Sequence, residues 1–363
     1  MLQLSKKKKD DSLVGLEIEA GSVAVAEVRV NGDTQLGTTA IAQLPPGAFH
    51  DGEVTDPAAI AATLRQLFSE HQLSRRVRLG IANQRVVVRT LRLPAIDDPK
   101  ELEAAVRFQA QEQIPMPIDQ AVLDHRVVGG VAPSDGAPGQ IDVVVVAARR
   151  DMIAATLKPL LDAGLEPAGV DLSAFGLIRA LGEPATPLSG PGGEGPSSPA
   201  TAVLYCNIGD VTNLAIARQR SCLFTRVSPT GLGDIAAKLA AATGLSGEHA
   251  VMWLTHVGLT EPVEAIEGDP GVVSQARLAL EHGASAVLDE VRLSLDFYGA
   301  REAAVPVERV VLSGPGSAIP GLAEQMAPVL GLPISVGRPE ALAGADAASA
   351  ARLTVPYGLA LES

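Results

Sequence analysis

The sequence predicts an α/β protein of two related halves. Three observations carry that prediction. Strand-like apolar runs alternate with helix-like runs along the whole chain. The same strand–turn–strand opening occurs twice, at Leu13 to Val30 and at Thr201 to Ala217. Between the two lies Glu183 to Pro199, a tract dense in Gly, Pro and Ser with the composition of a flexible linker or surface loop.

The repeated opening is specific in its details. Superimposing the hairpins sets Glu17-Ile18-Glu19-Ala20-Gly21-Ser22 on Asn207-Ile208-Gly209-Asp210-Val211-Thr212. Each has a polar residue, an isoleucine, a short turn and then a hydroxyl. A third strand follows in both halves, at Gln35 to Gln43 and at Ser221 to Ser228, and then a helix, at Pro57 to His71 and at Leu232 to Thr243. This reads as an internal duplication of a β-β-β-α unit.

Extra material separates the first helix from the linker. Val77 to Ala82 and Val86 to Leu93 read as strands. Asp98 to Gln113 reads as a helix, with Leu102, Val106 and Ala110 on one face, stopped by Ile114-Pro115-Met116-Pro117. Val122 to Val128 and Ile141 to Ala148 are two more strands. A helix from Arg149 to Ala163 ends at Gly164, and Val170 to Leu181 returns with a short strand and helix. The second half continues with helices at Gly247 to Val257 and Val272 to Gly299, a strand at Glu308 to Leu312, the loop Ser313-Gly314-Pro315-Gly316, and a helix at Ile319 to Leu330.

Composition narrows the functions available. With 363 residues, 47% hydrophobic and only 3% aromatic, the core is built mainly from Ala, Val, Leu and Ile. No apolar run approaches the roughly 18 residues of a membrane span. Lys6 to Lys9 lead into Asp10-Asp11 and not into an apolar stretch, so no signal peptide is read and a cytoplasmic protein is expected. The formal charge of −13 argues against a nucleic-acid partner. The basic tail, residues 1–12, reads as a solvated segment, with weak attraction to an anionic membrane surface as the sharper alternative. Cys206 and Cys222 have no metal-site spacing and read as reduced core thiols on neighbouring strands. The six histidines show no HxxxH or HExxH spacing, and neither a G-x-S-x-G elbow nor a GxxxxGK[ST] loop is present.

Tight glycine-containing turns expose backbone N–H groups, which is what a phosphate needs. The candidate nucleotide-binding residues are Glu17, Gly21 and Ser22 in the first hairpin and Asn207, Gly209 and Thr212 in the second. Gly231 and Gly233 follow, with Gly314 and Gly316 in the third loop, where glycine lets the backbone approach an anionic group closely. Each feature alone is also ordinary hairpin grammar.

The chain resembles the PilM family, the actin-like proteins of type IV pilus assembly related to the division protein FtsA. The resemblance rests on Gly15-Leu16-Glu17-Ile18 with Ser22-Val23 and on Val88-Arg89-Thr90-Leu91-Arg92-Leu93-Pro94. It continues with Glu101-Leu102 to Gln113-Ile114-Pro115, Asp162-Ala163-Gly164-Leu165 with Val170-Asp171, and Asn207-Ile208-Gly209 with Thr212. Arg226 with Gly231, Leu295 to Tyr298, Leu312-Ser313-Gly314 and Tyr357-Gly358-Leu359-Ala360 complete it. It implies an actin-like, ribonuclease H-like duplicated ATPase fold with an FtsA-type inserted subdomain. The implied domains are 13–88 with 165–182, an insertion at 89–164, a linker at 183–200 and a second actin-like domain at 201–363. It also implies the N-terminal cytoplasmic peptide of PilN as partner, at the cytoplasmic face of the inner membrane. That peptide would lie in a cleft flanked by Val88, Arg89, Leu91, Leu93, Ile114 and Pro115.

The resemblance further implies ATP or ADP with Mg, and here the sequence departs from it. The family carries Asp-Ile-Gly in both phosphate loops and a lysine after the first Ser-Val. This chain has Glu17-Ile18-Glu19, Ala24, and Asn207 for the second aspartate; Pro315 replaces a glycine in the third loop. Asn207 neither balances a metal's charge nor accepts a proton. Glu17 could still hold metal through water. A Glu19 carboxylate about 4 Å from a phosphate charge costs roughly 1 to 4 kcal/mol, unless Glu19 points to solvent. No catalytic residue is assigned. The expectation is a scaffold with a degenerate nucleotide site; the alternative is an active or weak actin-like ATPase. A sugar kinase on the same fold lacks a catalytic aspartate.

Overall fold

The computed structural model describes residues 12–31, 33–131, 139–183, 201–301 and 304–361. The Lys6 to Lys9 run and all of the Gly/Pro/Ser tract after Glu183 lie outside the described residues.

The first half opens with strands β1 (Ser12–Glu19), β2 (Ser22–Asn31) and β3 (Asp33–Gln43). The short β4 (Phe49–His50) and β5 (Glu53–Val54), helix α1 (Pro57–Glu70) and strand β6 (Arg76–Ile81) follow. Then come β7 (Val87–Pro94), α2 (Pro99–Gln113), β8 (Ala121–Val131) and β9 (Gln140–Arg149), and finally α3 (Arg150–Asp162), β10 (Glu166–Leu172) and α4 (Ser173–Leu181). The second half comprises β11 (Ala202–Ile208), β12 (Thr212–Arg218), β13 (Ser221–Ser228), α5 (Leu232–Thr243), α6 (Gly247–Val257), α7 (Pro270–Gly299), β14 (Val307–Ser313), α8 (Leu322–Leu330), β15 (Ile334–Val336) and α9 (Ala347–Ala360).

The duplication extends further than the β-β-β-α unit. The first sheet runs β10-β6-β1-β2-β3 and the second runs β15-β14-β11-β12-β13. In each, the opening three strands are antiparallel and the other two add in parallel. β1 and β11 are central and covered on both faces, which is why they read as near-continuous apolar runs. Their alternation still matters. Val14, Leu16 and Ile18 enter a core with Ile60 and Leu64 of α1 and Leu160 of α3. Leu204, Cys206 and Ile208 enter the second core with Ile235 of α5, Leu254 of α6 and Leu280 of α7. The opposite faces of the two strands bear Glu17 and Asn207.

Local signals start the helices. Asp56 accepts hydrogen bonds from the Ala58 and Ala59 N–H groups, with Pro57 opening α1. Asp98 and Pro99 do the same for α2. The helix expected from Ile319 begins instead at Leu322, because Pro315–Ala318 form a single 3₁₀ turn and Gly321 turns left-handed at φ 85°.

Three strands, β7-β9-β8, form a separate antiparallel sheet covered by α2. This is the insertion, and its sheet closes at Arg149. The helix assigned to it at 150–162 packs instead on α1, with Leu160 fully buried in the first core. The assignment of the whole C-terminus to the second half is corrected as well. α9 lies on β1, β2 and β6 of the first sheet, while α4 packs on β12 of the second. The two helices cross between the sheets, and Leu177, Val355 and Leu359 share a core with Tyr205 and Val311.

The crossing is close because glycines line it. A Cβ on Gly15 would stand 1.9 Å from the Pro356 carbonyl oxygen, and one on Gly358 would stand 1.8 Å from the Gly176 carbonyl oxygen. The end of α9 is held by two arginines. Arg78 donates to the Leu359 and Leu361 carbonyls at 3.0 and 2.8 Å, and Arg179 to the Gly358 carbonyl at 2.8 Å. No helix among the described residues is long and apolar enough to cross a membrane.

Candidate functional site

The β1–β2 and β11–β12 turns face one another across the middle layer. Glu17 and Asn207 stand at matching positions of β1 and β11, both buried and both lining the cavity between the turns. That cavity is about 30 Å³, the scale of a water molecule.

Glu19 is among the side chains lining this space. Its side chain crosses to the opposite turn, where Oε1 accepts the Asp210 N–H at 3.3 Å. The same oxygen lies over Gly209, where a Cβ would stand only 2.0 Å from it. Glu19 therefore points at the second turn and not to solvent. From the other side, Arg352 of α9 donates to Ser22 Oγ at 3.0 Å and stands 4.0 Å from Glu19 Oε2.

Three carboxylates thus share one enclosed region, and the electrostatics follow. Burial holds Glu17 well above the ordinary glutamate range; the Glu19 charge pushes the same way and Ser173 opposes it. Burial also raises Glu19, with Arg352 and the Asp210 N–H opposing. Asp210 is pushed up to about 6, first by burial and then by Glu19, with His50 and the Ala20 N–H opposing.

The remaining candidates are placed as follows. The Thr212 hydroxyl donates to the Thr230 carbonyl at 2.6 Å and is committed within its own half. Gly231 and Gly233 lie beneath the second turn: a Cβ on them would stand 2.3 Å from the Asp210 carbonyl oxygen and 1.8 Å from Asp210 Oδ1, respectively. Gly314 and Gly316 pack on Asn207 and Ile208. These four glycines let the loops close on one another. Gly21 is exposed, with nothing near its Cα that a side chain would meet. Among the described residues, no group of three or more His, Cys, Asp or Glu is arranged to hold a metal ion.

These residues do not fit a nucleotide's phosphate chain as they stand. A phosphate between the turns would have to displace the Glu19 carboxylate and would meet Glu17 and Asp210.

The residues expected to flank the peptide differ in exposure. Leu91, Leu93 and Ile114 are buried in the core of the insertion with Val106 and Val145. Val88 is half-buried, while Arg89 and Pro115 are exposed.

Sequence reasoning missed Arg352 and Asp210. Asp210 had a signal, an acidic residue in the turn matched to Ala20. Arg352 had none, because it sits on a helix the apolar periodicity did not reveal.

Two duplicated sheets with crossed helices between them define an actin-like fold. The chain shares it with the ethanolamine utilization protein EutJ from Carboxydothermus hydrogenoformans (13% identity, 98% of this chain and 91% of that one, TM-score 0.53). It shares it also with MreB5 of Spiroplasma citri bound to ADP (12% identity, 97% and 95%, TM-score 0.50). A chain of the PilM-PilN type IV pilus biogenesis complex is similar at 26% identity over 96% of this chain and 97% of that one, with a TM-score of 0.75. Residues 15–361 match the family of type IV pilus assembly protein PilM, and the chain belongs to that family.

Proposed function

We propose that this chain is a scaffold of the type IV pilus inner-membrane platform that binds the N-terminal cytoplasmic peptide of PilN. In this reading it works at the cytoplasmic face of the membrane, and its nucleotide site is degenerate. The observation that carries the proposal is the end-to-end likeness to a chain of the PilM-PilN complex. The peptide docks in the cleft between the first sheet and the insertion, with exposed Arg89 and Pro115 at its rim. Calorimetry with a PilN N-terminal peptide tests this: micromolar or tighter binding is expected, and no heat at high peptide concentration would sink it.

The actin-like fold supports a second reading, an ATPase that cycles with nucleotide and Mg. A phosphate-release assay separates the two. The scaffold reading expects no turnover above background, and turnover abolished by Asn207→Ala would establish the second.

A further inference from the structure

We infer that the two facing turns form a carboxylate clasp that joins the halves of the molecule directly, the Glu19 carboxylate of the first turn taking up the Asp210 backbone N–H of the second in place of a bound anion. The inference rests on the degenerate nucleotide site proposed above and not on the peptide partner.

The clasp runs from Glu19 to the Asp210 N–H, across 191 residues of sequence. The Asp210 carboxylate stands at the same junction, where the Ala20 N–H favours its charged form. The superposed hairpins explain the fit. Glu19 matches Gly209 and Ala20 matches Asp210, so the first turn supplies a carboxylate where the second leaves room. Glycine is required at the receiving point, where the Glu19 carboxylate fills the space over Gly209; the Asp210 carboxylate packs over Gly233 of its own half.

Backbone N–H groups at a tight turn attract an anion. Here the anion belongs to the protein itself. Arg352 supplies the cation that keeps Glu19 and Ser22 in place. The other charged groups facing Asp210 are His50, which favours its ionised form, and Asp51, which opposes it. Glu17 faces Glu19.

Hydrogen exchange on the full-length chain at neutral pH tests this. Without nucleotide, Glu19→Ala should speed exchange about tenfold or more both in its own turn (19–22) and in the opposite turn (209–212). Gly209→Ala, whose Cβ would displace the Glu19 carboxylate, should do the same, and it decides the matter if Glu19→Ala fails to fold. Glu19→Gln keeps an acceptor oxygen and should retain protection within about threefold. Millimolar ADP with Mg should add no protection to either turn of the wild type. Faster exchange confined to the mutated turn, unchanged exchange in both alanine variants, or protection of the wild-type turns by ADP would each overturn the clasp. None of these readings depends on whether a PilN peptide binds, which the calorimetry measures separately.

Discussion

The two halves share a sheet order and a helix order but differ in what their turns carry. At the first turn, Glu17 and Glu19 come from β1, and Ser22 accepts a hydrogen bond from Arg352. At the second, Asn207 and Gly209 hold the matching places, and Thr212 is tied to a carbonyl of its own half. Duplication supplied the geometry twice. The fit between the turns comes from their having diverged, because a carboxylate on one side requires a gap on the other. Two copies of the first turn would set glutamate against glutamate.

The largest test of this comparison lies behind the turns, where α9 crosses α4. Gly358→Val should cost about 3 kcal/mol or more in urea unfolding, because its Cβ would meet the Gly176 carbonyl. Gly21→Ala, in the first turn but with no atom in the way, should stay within about 0.5 kcal/mol. Equal effects would mean that α9 is not seated as described.

The second test is pH. Asp210 titrates at about 6 in the folded protein against 3.8 ordinarily, so the folded state binds its proton more tightly. The stability this group confers is complete below about pH 4 and is lost as pH rises through about 6. Asn at this position mimics the protonated form. The stability of the wild type minus that of Asp210→Asn should therefore fall between pH 4 and 7, by roughly 2 kcal/mol after discounting for solvent at the turn. A flat difference would show that the charge is not confined.

Arg352→Ala should lower stability by about 1 kcal/mol, since its partners are partly solvated. The same change should steepen the loss of stability as pH rises, because the cation beside Glu19 is removed. Denaturation at pH 5 and pH 8 checks both.

The smallest effect concerns the thiols. Burial pushes Cys206 and Cys222 up to about 12. Alkylation at pH 8 should be slow in the native protein and fast in urea. Both cysteines belong to the second half, so the native labelling rate reports when that half opens.

The hairpins were legible because strand alternation and turn glycines are local signals. The third strands and the helices at 57–70, 232–243 and 247–257 were legible for the same reason. α9 was not. It is buried on nearly every side, so no polar stripe marks its period, and Pro356 and Gly358 interrupt it in sequence though not in space. With α9 hidden, the role of Arg352 was hidden too. Glu19 was legible as an oddity, an acid where a phosphate loop wants glycine. Its destination was not, because the receiving N–H lies in the other half. Leu91, Leu93 and Ile114, placed beside the peptide cleft by the family resemblance, lie in the core of the insertion, a burial that no local signal in the sequence marks.

The crossed helices bear on how such a chain holds together. Each half lends its final helix to the other half's sheet, so neither half is closed alone. The arrangement is that of an arm-exchanged dimer written into one polypeptide. Severing the chain in the Gly/Pro/Ser tract should therefore yield two fragments that are insoluble apart and complementary together, and heating the intact chain should melt both halves in a single cooperative transition.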